Sequence, residues 1–170
     1  MAGRRRARRA GDAPRILDAK AAKLAAADLL SRRAWTESEL TRRLVRRGAP
    51  KDTAAAVVAD MVGRGYVNDA AFAHAFVETR SSRGYGGARL SADLRARGVA
   101  PALIAAALAG VDGAAHLEQA RAVAKRRLPA LRRTAPERAA ARLRDHLLRR
   151  GFAAGIVLRV VREVTGVADG

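Results

Sequence analysis

Leu40-Thr41-Arg42-Arg43-Leu44-Val45-Arg46-Arg47-Gly48 decides the fold, because the chain writes it three times. The second copy is Leu90-Ser91-Ala92-Asp93-Leu94-Arg95-Ala96-Arg97-Gly98 and the third is Leu143-Arg144-Asp145-His146-Leu147-Leu148-Arg149-Arg150-Gly151. In each, Leu stands eight and four residues before the glycine and Arg stands directly before it. Leu at i and i+4 shares one helix face, and glycine suits the left-handed residue that ends a helix. A small or apolar residue follows each glycine: Ala49, Val99 and Phe152. Apolar residues return six and ten positions on, at Ala54 and Val58, Ile104 and Leu108, and Val157 and Val161. One copy would be a generic amphipathic helix. Three in phase mark an internal repeat at a period where tandem modules occur. With a helix before and after each copy, the chain reads as nine helices in three units. The units are residues 16–66, 67–111 and 112–170, behind a basic disordered arm at 1–15. The expected fold is all-α: three tandem three-helix repeats stacked into an elongated, curved molecule.

Local punctuation supports that division. A first helix is expected over 16–34. Thr36-Glu37-Ser38-Glu39 is a capping box: the threonine hydroxyl accepts from the amide three residues on, and the glutamate reaches back. Pro50 opens the third helix, Asn68 caps the fourth and Pro101 opens the sixth. Asp112 is expected to cap a long helix that Pro129 kinks or interrupts. Thr134-Ala135-Pro136-Glu137 reads as a second capping box. No stretch alternates with period two, so no sheet is expected.

The composition narrows the function classes. Among 170 residues, 34 Lys and Arg face 16 Asp and Glu, for a net charge of +18. Only four of the basic residues are Lys, and Ala occurs 42 times. A GC-rich coding sequence inflates Arg and Ala together, yet it does not explain why acidic residues fail to match. The absence of Cys excludes disulfides and Cys-based zinc sites, and three scattered His residues argue against a His-rich metal site. No catalytic constellation emerges, so neither an enzyme nor a cofactor is expected. No stretch is long and apolar enough to span a bilayer and no secretory signal follows the arm, so the expected setting is the cytoplasm.

A charge of this size points to a polyanion. The arm carries +5, the three units +4, +2 and +7 in order. Candidate contacts are Arg42, Arg43, Arg46 and Arg47 on one helix, Arg149 and Arg150 repeating that arrangement, and Arg126, Arg127, Arg132 and Arg133 around Pro129. Arginines near a helix C-terminus also complement the helix dipole, which accounts for some of them without any ligand. Arg83, Tyr85 and Arg89 surround the glycine-rich turn Gly84-Tyr85-Gly86-Gly87. Either the amides of that turn meet an anion, or the turn joins two helices and Tyr85 packs over the seam. No P-loop Lys-Ser/Thr follows, so nucleotide binding is unsupported. Trp35 stands in the staple position, with core packing favoured over base stacking.

Several stretches together resemble one family. Glu37 through Gly48, Gly65-Tyr66-Val67-Asn68-Asp69-Ala70-Ala71-Phe72-Ala73, and Gly84 through Leu90 followed by Leu94 through Val99 are similar to RecX proteins in order and spacing. Asn68 stands where that family usually has Asp, and Gly87 where it commonly has Pro. The resemblance covers residues 20–165 and is strongest over 35–110. It implies a regulator that binds the RecA recombinase filament on DNA and limits ATP hydrolysis, strand exchange and coprotease activity. Weak, largely non-specific contact with single- or double-stranded DNA is also expected, by a monomer with no membrane association. Two other readings remain: a helix-turn-helix regulator acting directly on duplex DNA, and a basic RNA- or ribosome-associated helical protein.

Overall fold

A computed structural model describes residues 16–110 and 113–166. All regular structure among them is helical. Nine α-helices run in order: α1 (Ala19–Leu30), α2 (Glu37–Arg46), α3 (Lys51–Gly63), α4 (Asp69–Ser82), α5 (Gly87–Ala96), α6 (Pro101–Ala109), α7 (Gly113–Thr134), α8 (Ala139–Arg149) and α9 (Ala154–Thr165). A short 3-10 turn, Pro136–Arg138, leads into α8.

The repeated motif has one physical solution in all three copies. Its six leucines are the largest fully buried side chains, each with no exposed surface. Gly48, Gly98 and Gly151 adopt φ of 100°, 84° and 87°. The amide of the next residue then reaches back into the helix, Ala49 to the Leu44 carbonyl at 3.1 Å, Val99 to Leu94 at 3.1 Å and Phe152 to Leu147 at 3.2 Å. This backward bond satisfies a terminal carbonyl and tucks Ala49, Val99 and Phe152 into the cores. Nine residues beyond each glycine lie Val57, Ala107 and Val160, all buried. At ten residues Val58 is buried, while Leu108 and Val161 lie half-buried at the edge.

Each module packs around its own core. The first gathers Ala22, Ala26 and Leu29 of α1 with the α2 leucines and α3. The second joins Ala73 and Val77 to Leu90, Leu94 and Ile104. The third joins Ala120, Val123, Ala124 and Leu128 to Leu143, Leu147, Val157 and Val160. Small residues on the first helix let the other two approach, which is how an alanine-rich chain reaches native packing. Phe72 and Phe76 stack on each other half-buried at the edge of the second core under the Arg97 guanidinium. The residues through Val67 form one compact unit, and those from Asn68 onward, the second and third modules, form another.

Local expectations meet mixed fates. Thr36 accepts from the Glu39 amide at 3.1 Å and is fully buried. Asn68 accepts from the Ala71 amide at 2.9 Å. The first helix is shorter than expected, starting at Asp18, whose carboxylate accepts from Ala21. Pro129 does not interrupt α7, which runs through it. Proline removes one amide donor there, and its ring lies at the exposed surface. The box expected at Thr134 does not form: Thr134 closes α7, and its hydroxyl donates back to the Ala130 carbonyl at 3.1 Å. The expected cap Asp112 and the arm at 1–15 lie outside the described residues.

An interhelical ion pair also recurs. Twelve residues past the glycine, Asp60 on α3 receives Lys23 of α1 at 3.0 Å, and Glu163 on α9 receives Arg121 of α7 at 2.7 Å. The second module has Gly110 at that position. The sequence alignment held this signal, since both acids share one register.

Candidate polyanion-binding surfaces

In the first unit, the arginines of α2 face the C-terminal end of α1. Arg32, Arg33, Arg42, Arg43, Arg46 and Arg47 line a concavity of about 470 Å³ together with Leu29, Trp35 and Glu39. Two carboxylates offset part of this charge. Asp28 pairs with Arg32 at 2.8 Å and Arg47 at 3.8 Å, and Glu39 pairs with Arg33 at 3.2 Å. The Arg32 hydrogen bond holds the Asp28 carboxyl below its usual range. Arg42 donates to the Ser38 carbonyl at 3.2 Å, while the buried Nε of Arg43 has no hydrogen-bond partner among the described residues. Trp35 donates its indole N–H to the Leu29 carbonyl at 2.9 Å and carries the Arg33 guanidinium 3.5 Å above its ring. The indole therefore closes α1 and positions Arg33.

In the second unit the expected residues divide by role. The Gly86 amide donates to the Arg150 carbonyl at 2.8 Å, and the Ala88 amide to the Gly151 carbonyl at 3.1 Å. Two amides at the start of α5 are thus taken by the end of α8. Arg150 Nη1 donates to the carbonyls of Arg83 at 3.0 Å and Gly84 at 3.3 Å, and its guanidinium lies 4.9 Å from the Tyr85 ring centre. Arg80 stands 5.7 Å from that ring centre. Tyr85 and Arg150 therefore belong to the seam between the second and third modules. Arg83 keeps an exposed side chain, and Arg89 pairs with Asp93 at 3.0 Å.

The four arginines around Pro129 do not form one patch. At about 100° per residue, Arg126 and Arg133 share a side of α7, while Arg132 lies about 120° from Arg126. Arg132 donates to the Val164 carbonyl at 3.4 Å, toward α9. Arg127 lies on the α8 side with Arg149 and Arg150, beside His146. Burial first, then these three cations, hold the His146 imidazole below its ordinary pKa. Arg126, Arg127, Arg133 and Arg149 all keep exposed side chains.

Among the described residues there is no cluster of His, Asp and Glu fit to hold a metal ion, and no helix is long and apolar enough to cross a membrane.

Comparison with known proteins aligns with the three modules. Residues 22–61, 68–108 and 115–161 match family models described as the first, second and third three-helix domains of RecX. The chain is 40% identical over 136 residues to the Regulatory protein RecX of Thermobifida fusca, covering 79% of this chain and 74% of that one. It is 34% identical over 145 residues to the Regulatory protein RecX of Amycolatopsis mediterranei, covering 85% and 83%. A crystal structure of RecX from Lactobacillus salivarius shares the fold with a TM-score of 0.76 at 17% identity, covering 88% of this chain and 97% of that one.

Proposed function

The chain belongs to the RecX family of regulatory proteins, and from that premise we propose that it binds the RecA recombinase filament on DNA and restrains it. The regulated activities are ATP hydrolysis, strand exchange and coprotease function. The protein acts as a monomer in the cytoplasm, without catalysis of its own. The observation that carries this reading is the distribution of exposed arginine. Arg42 and Arg46 in the first unit, and Arg126, Arg127, Arg133 and Arg149 in the second, are exposed on helices whose opposite faces are locked into cores. Guanidinium groups held on rigid helices suit the phosphates of a nucleoprotein filament. Arg43, Arg47, Arg89 and Arg132 are secondary contacts, each half-buried or near a partner within its own module, and Arg83 is an exposed one beside the seam. Tyr85 and Arg150 contribute by fixing the seam.

The test is RecA ATPase activity on single-stranded DNA with sub-stoichiometric protein. Hydrolysis and filament length both fall if the reading holds, and unchanged values overturn it. Charge reversal of Arg126, Arg127, Arg133 and Arg149 weakens the effect and flattens its salt dependence. A sequence-specific footprint on duplex DNA without recombinase would instead favour direct promoter binding.

A further inference from the structure

We infer that the arginine-lined concavity between the end of α1 and α2 binds a run of two or more phosphate groups, read without reference to any base. Six arginines converge there against two carboxylates, Asp28 and Glu39. Among the described residues no carboxylate pairs with Arg42, Arg43 or Arg46, so the concavity keeps an uncompensated charge there. Like charges on one helix repel, and the fold accepts that cost within 10 residues of α2. The buried Arg43 Nε adds a second indication. A buried donor without a partner is costly and rare, and an acceptor oxygen in the concavity would satisfy it. Guanidinium forks meet phosphate oxygens two at a time.

The size argues for more than one group. A volume of about 470 Å³ equals on the order of fifteen liquid waters. The aromatic content argues against base readout. Trp35 is the one aromatic residue at the site, and its ring lies under Arg33 and against the first core, so it offers no open stacking face. What remains is electrostatic and geometric recognition of consecutive phosphates. Two sources share that chemistry: the phosphodiester backbone of single-stranded nucleic acid, and a free oligophosphate. This inference rests on the proposed function for its biological setting, and names the group of the DNA that the first unit grips.

The experiment measures binding of labelled (dT)20 to the full chain by fluorescence anisotropy, without recombinase, across a salt series. The triple variant R42Q/R43Q/R46Q should bind at least about 10-fold more weakly, with a salt slope smaller by about two, as expected for three lost contacts to a single strand. A control that removes equal charge elsewhere, R95Q/R138Q/R142Q, should change affinity by less than about 3-fold. D28N should tighten binding by about 2-fold or more, because it frees Arg32 and Arg47. Inorganic tripolyphosphate should displace (dT)20 at far lower concentration than orthophosphate. Stronger binding of tripolyphosphate than of (dT)20 points to a free oligophosphate, and the reverse to the nucleic-acid backbone. Equal losses in the two triple variants would overturn the inference. If the first triple variant fails to fold, R46Q and D28N decide the matter, and no change in either overturns it. The ATPase assay separates the two readings. Wild-type restraint of RecA with pocket-independent (dT)20 binding sinks only the pocket, and pocket-dependent binding without restraint sinks only the RecA reading.

Discussion

The Ala88 amide donates to the carbonyl of Gly151 across 3.1 Å, so the second and third modules meet backbone to backbone. A Cβ on Gly151 would stand 2.3 Å from the Arg89 nitrogen, and one on Gly86 would stand 2.4 Å from the Gly151 carbonyl carbon. No side chain fits on either glycine without parting the modules.

Gly151→Ala should therefore cost about 2–4 kcal/mol, combining left-handed strain with a clash against backbone. Gly155, the second residue of α9, has nothing within 4 Å of its added Cβ. Gly155→Ala should stabilise by about 0.5 kcal/mol, because alanine suits a helix better. Urea unfolding of the two variants checks the contrast, and equal midpoints would contradict the seam.

Arg150 and Arg149 are neighbours with different tasks. Arg150→Ala removes two charge-assisted bonds to the Arg83 and Gly84 carbonyls and the stack on Tyr85, a loss of about 1–2 kcal/mol. Arg149 is exposed, so Arg149→Ala should stay within about 0.5 kcal/mol in stability. In (dT)20 binding the order reverses per unit of folded protein, with Arg149→Ala the more damaging. Thermal melts and anisotropy on the same samples check both halves.

Two similar motifs should respond differently. Thr36 caps α2 through its bond to the Glu39 amide, and Thr36→Ala should cost about 1–2 kcal/mol. Thr134 caps nothing and bonds back to Ala130, so Thr134→Ala should fall within about 0.5 kcal/mol of wild type. Denaturant midpoints measured side by side decide.

Acid should loosen the third module through Glu163. Arg121 and then Arg159 hydrogen-bond its carboxylate and push its pKa down from 4.5 to about 2. A depressed acid stabilises the folded state above its unfolded pKa and loses that contribution as pH falls through the folded value. The window is thus pH 4.5 down to about 2. Melting temperature should decline across it in the wild type, and Glu163→Gln should remove part of that slope while lowering stability at neutral pH.

The sequence by itself determined the modules. Leu at i and i+4, a terminal glycine and an apolar residue after it admit one local geometry. The leucines must be buried, and only glycine takes the left-handed cap without strain. The same register also held the acids Asp60 and Glu163, twelve residues past their glycines, but not their partners, since Lys23 and Arg121 stand 25 and 30 residues before those glycines. Spacing along the chain did not determine which arginines are free. Arg126 and Arg132 are close in sequence but diverge around α7. Arg149 and Arg150 are adjacent, yet one faces solvent and the other bonds the Arg83 and Gly84 carbonyls. Tertiary structure alone decided which of Arg149 and Arg150 is held, because a guanidinium's partner is set by whichever carbonyl or carboxylate the packing of another helix brings within reach.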